Sequence, residues 1–392
     1  MKTFRRFACV VPCLVLLADS AFAQGPLNPP GPPAPTMKTL DQTEPRIPIE
    51  SLPVTITNGG SYYFTRDLQF TAVSGNAINV NASNVTIDLM GYKLSSTAGV
   101  TGFGININGD GCTVKNGSIV GTTTVTISGS GATRTWTVVS GGFNTGVSAS
   151  RGGHRFVDLT VAKCRGSGLS GGAGENNSVL TRCVAYQNGG PGILGGVVNE
   201  CSAFENRGAG IDAGQNVGGV VTASRAYDNS QIGIRGNLVS KCLSQNNGEA
   251  GINAIKVEDC LASFNGGNGI ESGTTTGSRA RGNLGHGILG SHVTNNHCST
   301  NGGAGIRFGG DGGRIEYNNC FDNAFGIQGP AGTNCFIVRN SCRGNSGTAT
   351  NPGASGNFDF DRNTNTYGPV IVVNGDMSAN AAASHPAANI QY

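Results

Sequence analysis

Between Leu169 and Thr350 the chain repeats a unit reading V-x2-C-x-A-x2-N-x4-I-x4, which closes on itself in 18 residues. Aligned on their Gly-Ile pairs, the turns place isoleucines at Ile193, Ile211, Ile234, Ile252, Ile270, Ile288, Ile306 and Ile327. Five residues before the first seven stand Asn188, Asn206, Asn229, Asn247, Asn265, Asn283 and Asn301. A fixed period of this size marks a solenoid, whose units bury their apolar faces against neighbouring units.

Each turn supplies three short apolar runs. One is a valine column (Val198, Val221, Val239, Val257, Val293), one a Cys/Ala pair, and one the isoleucines. Asn-rich and Gly-rich corners separate them, and both residue types tolerate left-handed backbone angles. Asparagines stacked from turn to turn can satisfy polar groups that the bends would otherwise orphan. Cys183, Cys201, Cys242 and Cys260 share one position with Ser224 and Ser278, which reads as a column of small buried residues holding reduced thiols. Parallel stacking does not aim such side chains at each other as a disulfide requires. Arg182, Glu200, Ala223, Lys241 and Asp259 form a column of alternating sign, expected along an exposed strand, where it would favour the correct register.

The chain outside the repeat divides cleanly. Residues 1–23 have the form of a signal peptide: Lys2, Arg5 and Arg6, an apolar stretch, then Ala21-Phe22-Ala23. That implies a secreted, periplasmic or envelope location. Its removal lowers the formal charge from +3 to +1 and leaves ten of the twelve cysteines. So neutral a chain gives no electrostatic case for nucleic acid, and no later segment reads as a transmembrane span. Residues 24–50 form a Pro-rich leader. The solenoid is expected over 51–350, and 351–392 as a C-terminal cap shielding the last strand edge. Within it, residues 121–141 hold two β-branched runs around Ser128-Gly129-Ser130-Gly131-Ala132, read as a projecting hairpin. This hairpin carries Trp136, the one tryptophan, as a potential docking point for a partner.

The repeat resembles the right-handed parallel β-helix proteins, the superfold of pectate lyases, across roughly residues 52–350. The resemblance implies an all-β, single-stranded right-handed parallel β-helix of about 13 turns, expected to be monomeric. A left-handed hexapeptide coil is excluded because aliphatic residues do not recur every six positions. A calcium-binding nonapeptide roll would place Asp after each Gly-Ile corner. That position instead holds Asp212, Arg235, Asn253, Glu271, Leu289 and Arg307.

Turn length varies at a single corner, after Leu169, Ile211 and Ile306. The longer loops there should project from one face, and Glu175, Asn177, Asp212, Gln215, Arg307, Asp311 and Arg314 are the candidate ligand-binding residues. Such a mixture could hydrogen-bond sugar hydroxyls or pair with uronate carboxylates, so polysaccharide or another envelope component is the expected partner. The alternative is a lyase or hydrolase acting on acidic polysaccharide, with Asp212, Arg235, His286 and Asp311 as candidate catalytic groups. Gly285-His286-Gly287 is similar to the Gly-His-Gly motif of polygalacturonases, but their Asn-Thr-Asp and Asp-Asp elements are missing. The Trp-x-Asp-His of pectate lyases, the Gln-Asp-Thr-Leu of pectin methylesterases and the Asp-Pro-His-Asp of alginate epimerases are missing too. No cofactor is expected, with Ca2+ entering only under the lyase alternative. His154, His292, His297 and His385 show no metal-ligand spacing.

Overall fold

The structure, a computed structural model, describes residues 45–172, 178–214, 218–330, 334–350, 354–373 and 385–392. Residues 46–392 form one compact unit, while the expected signal peptide and most of the leader lie outside the described residues. The unit is a right-handed parallel β-helix in which strands join through parallel registers into one continuous stack. Each regular turn holds three strands. In the turn of Ile193 these are Ile193–Leu194 (here an A strand), Val197–Asn199 (B) and Ser202–Phe204 (C). Fourteen A strands stack from Val54–Ile56 to Phe358–Asp359, close to the expected count. None of the described helical segments is long and apolar enough to cross a membrane.

The periodic residues occupy the positions their spacing implies. Every isoleucine of the Gly-Ile column from Ile193 to Ile327 is fully buried, each worth about 1.5–3 kcal/mol of transfer free energy. Their partners lie directly above and below, as Ile234 on Ile252 and Ile252 on Ile270.

Corner geometry explains the polar columns. Between B and C strands the chain turns on one residue in the left-handed region: Arg182, Glu200, Ala223, Lys241 and Asp259 have φ between 48° and 55°. The alternating charges thus mark a bend rather than the strand the sequence suggested. Arg182 also pairs bidentately with Asp158 at the same corner one turn earlier, at 2.7 and 2.9 Å. A side chain bearing Cβ pays about 1 kcal/mol in this conformation, and Gly277 takes the same corner at φ 64°. Ala223→Gly is therefore expected to stabilise the fold by roughly 0.5–1 kcal/mol, read as a raised denaturation midpoint.

The residue after this corner caps the turn before it. The backbone N–H of Cys183 donates to Cys201 Sγ at 3.3 Å, that of Cys201 to Ser224 Oγ at 3.1 Å, and that of Ser278 to Asn296 Oδ1 at 2.8 Å. The thiols are more than small filler: they accept a hydrogen bond that serine and asparagine accept elsewhere in the column. All ten described cysteines are buried and free. Burial pushes the Cys164 thiol up to about 12, which disfavours the reactive thiolate.

A second left-handed corner follows each C strand and leads into the asparagine column. Asn206 Nδ2 donates to Asn229 Oδ1 at 2.9 Å, and the same oxygen accepts the Asn206 N–H at 3.1 Å. The pattern runs unbroken from Asn188 through Asn323 and Asn345 to Asn357. A buried, fully paired amide ladder satisfies backbone groups that would each cost about 1–3 kcal/mol if orphaned.

Three boundaries differ from expectation. Ile47–Ile49, assigned to the leader, already pairs with Tyr62–Phe64 as a B strand. Residues 358–359, 366–367 and 389–391 of the expected cap continue the stack in parallel register. The hairpin, Thr124–Ser128 against Thr135–Val139, does not project. It lies along the body, because alternate residues Val125, Ile127, Trp136 and Val138 face inward. Its tip docks four turns downstream, about 19 Å at the inter-strand spacing. There Trp136 Nε1 donates to the Asp228 carbonyl at 3.0 Å and Arg134 pairs with the Asp228 carboxylate at 2.7 Å.

Candidate functional site

The long corner loops do share one corner, between A and B strands. Where the loop is short, A and B merge into one bent strand, as in Ile234–Ser240, Ile252–Glu258, Ile270–Thr276 and Ile288–Thr294. Four such turns lie between the loops that follow Asp212 and Arg307. The result is a shallow trough of about 470 Å³, lined by Asn253, Glu271, Ser272, Leu289, Ser291 and Gly309.

One outward column runs along the A strands past this trough: Asp212, Arg235, Asn253, Glu271, Leu289, Arg307 and Gln328. Asp212 and Arg235 meet as expected, at 2.9 Å in a half-buried ion pair. Glu271 is held from two sides, by Asn253 Nδ2 at 2.9 Å and Asn268 Nδ2 at 2.8 Å. Arg307 stands exposed at the far end. The sequence flagged Asp212, Arg235 and Arg307 but passed over Asn253 and Glu271, although they occupy the same position between them.

The other candidates scatter. Glu175, Asn177 and Gln215 lie outside the described residues. Asp311 is exposed and accepts from Asn334 at 2.9 Å, so its hydrogen bond runs away from Arg307. Arg314 sits on a B strand, 2.5 Å from Glu316 and over the Phe336 ring at 5.0 Å. With Arg339 on its other oxygen, Glu316 is a buried carboxylate held below its usual range chiefly by Arg314. That arrangement braces Arg314 against the body while leaving its side chain half exposed.

His286 is likewise committed. Its Nδ1 accepts the Ala304 N–H at 2.9 Å, and burial followed by the nearby Arg307 charge lowers its pKa. It lies four turns, about 19 Å, from Asp212. Asp212, Arg235, His286 and Asp311 therefore do not assemble into one acid–base site. Among the described residues no three His, Cys, Asp or Glu side chains are grouped as metal ligands.

His154 is a further histidine that the sequence left unplaced. It is fully buried, and its Nδ1 accepts the Cys112 N–H at 3.3 Å. Nε2 must then carry the proton, yet it has no hydrogen-bond partner among the described residues. Burial depresses its pKa. The unfolded chain therefore takes up this proton more readily, so stability is full above the unfolded value near 6.5 and falls as pH drops through it. Thermal unfolding between pH 7.5 and 5 should show this loss, and His154→Gln should flatten it.

No protein-family model matches the chain, and no curated protein matches it either. Several solved structures do. A periplasmic alginate epimerase, AlgG, aligns at 13% identity over 71% of this chain and 84% of its own, with a TM-score of 0.48. The A-module of the Azotobacter vinelandii mannuronan C-5 epimerase AlgE4 aligns at 14% over 69% and 87%, with a TM-score of 0.43. Pectate lyase Pel9A aligns at 15% over 77% and 71%, with a TM-score of 0.26. The chain is similar to these proteins as one parallel β-helix is to another.

Proposed function

We propose that this is an exported, monomeric β-helix protein that holds an extended polysaccharide along the trough between its long corner loops without cleaving it. The observation that carries the reading is the floor itself. Between the raised loops the floor presents Asn253 and Glu271 on adjacent turns of one outward column, followed by Leu289, with Ser291 beside them. An amide and a carboxylate stacked at about 4.8 Å suit the hydroxyls of an extended glycan. Export rests on the signal-like first 23 residues.

Binding is favoured over hydrolysis by the spacing of acids. Asp212 and Glu271 lie three turns apart, about 14 Å, whereas paired catalytic carboxyls stand roughly 5–9.5 Å apart. Both are also occupied, by Arg235 and by two asparagines. A calcium-assisted lyase would need acids gathered around the ion, and this column supplies them singly.

Glycan-array binding followed by calorimetry tests the proposal. Asn253→Ala and Glu271→Gln should each weaken binding of an array hit by roughly 5- to 30-fold, about 1–2 kcal/mol. Unchanged affinity in both variants would remove the trough from the account.

A further inference from the structure

The hairpin tip creates a second concavity, far round the coil from the trough. A crevice of about 350 Å³ runs from Trp136 and Arg134 over a floor of Gly248, Gly266 and Gly282 to Phe264 and Leu284. Phe264 also borders an adjoining depression of about 560 Å³ with Leu261, Arg279, Arg281, His297 and Phe321. The two form one groove across the C strands and the corner after them.

The floor is made of glycines chiefly because the preceding turn stands so close: a Cβ on Gly248 would meet the Ser230 carbonyl oxygen and one on Gly266 the Gly248 carbonyl oxygen, with the walls crowding the site further. A Cβ on Gly248 would lie 3.1 Å from the Trp136 ring, and one on Gly282 would meet the Phe264 ring at 2.6 Å. The walls are strongly apolar for a surface: Phe264 is 51% exposed, Leu284 43% and Leu261 37%. Trp136 is rigidly presented, since its ring N–H is bonded to Asp228 and Arg134 stacks on it at 5.5 Å.

On the C strands beside the crevice the charged side chains are arginines, while the carboxylates Asp228, Glu249 and Asp322 lie at the corners that follow those strands. Over nine successive C strands, from Val184–Tyr186 to Ser341–Arg343, the two outward columns contain Arg225, Arg279, Arg281 and Arg343 and no carboxylate. Arg279 and Arg281 are exposed and form no ion pair among the described residues. Asp322 stands at the rim.

From this juxtaposition we infer that the groove docks an acidic protein segment. An aliphatic or aromatic side chain would sit between Trp136, Phe264 and Leu284, and neighbouring carboxylates would meet Arg279 and Arg281. Buried aromatic anchors flanked by arginine are the composition of protein-binding hot spots. Arginines present paired N–H donors that fit carboxylates bidentately.

A glycan fits this crevice less well. The Asn247 amide is spent on Ala226, Ser244 and Asn265, and the Asn246 carbonyl on Arg134. These groups are therefore spent within the fold, while Phe264 and Leu284 leave apolar surface exposed.

The test pans a displayed random-peptide library against the immobilised full-length protein. Synthetic copies of the recovered peptides are then measured by fluorescence anisotropy. The inference expects Asp or Glu beside Leu, Ile or Phe in those peptides. It expects about tenfold weaker binding to Phe264→Ala/Leu284→Ala, and about tenfold weaker to Arg279→Gln/Arg281→Gln. Added salt should weaken the wild-type complex more than that of the arginine variant. Unchanged thermal melting of the exposed arginine variant confirms that its loss is local. Peptides without acidic bias, or undiminished affinity for both variants, would overturn the inference. So would displacement by polygalacturonate, which would give the groove to a glycan. Glu271→Gln should leave peptide binding intact, which keeps this result separate from that of the trough.

Discussion

Replacing Asn247 with alanine should destabilise the protein by about 2–4 kcal/mol in denaturant unfolding. The side-chain oxygen accepts both the N–H and the amide of Asn229, and its own amide serves Asn265 and the Ala226 carbonyl. With the bond from its amide to Ser244 Oγ, alanine removes five hydrogen bonds in a site only 2% exposed to water. Asn229 Nδ2 keeps other partners, so the main penalties are an orphaned Asn229 N–H and the small void left behind. The matched control is Asn253→Ala, which also deletes an asparagine amide but on the outward column. It should change stability by no more than about 0.5 kcal/mol. Equal effects at the two sites would mean that the inner ladder has no special weight.

The second large effect concerns Ile270, fully buried between Ile252 and Ile288. Truncation to alanine should cost about 2–5 kcal/mol. In a solenoid that loss has an address, because each turn contacts only its neighbours and stability is close to a sum of local and nearest-neighbour terms. Ile270→Ala should therefore weaken the coupling between the turns before and after it. Unfolding followed by two probes, the Trp136 fluorescence and far-ultraviolet dichroism, should no longer coincide, and the apparent m-value should fall. Trp136 reports the N-terminal side of the lesion, since it docks at Asp228. Coincident curves with an unchanged m-value would indicate one indivisible cooperative unit.

Why the stack was legible and the groove was not follows from where each signal resides. Ile193 to Ile327 and Asn188 to Asn301 recur mostly every 18 residues, with longer steps only where a corner loop is inserted, so sequence spacing maps onto contact in the fold. The cysteine column was recognised by size alone. That Cys201 accepts the Cys183 N–H depends on a left-handed corner, which Arg182 and Glu200 do not announce by residue type. The hairpin was visible in its β-branched runs, but its docking joins residues 92 and 94 positions apart with no periodicity to signal them. The trough was half read. Loop lengths placed its walls at the correct corner, while Asn253 and Glu271 on its floor were taken only as evidence against a metal-binding roll. The scatter of Asp311, Arg314 and His286 has a common cause: each is claimed by a local partner, Asn334, Glu316 and the Ala304 N–H.

The most direct test pairs calorimetric binding with product analysis on the same glycan, with and without added Ca2+. The account predicts saturable binding, sensitive to Asn253 and Glu271, with neither new reducing ends nor unsaturated products after prolonged incubation. Chain shortening or an unsaturated product from the purified protein, abolished by Asp212→Asn or Glu271→Gln, would contradict it and make the trough an active site.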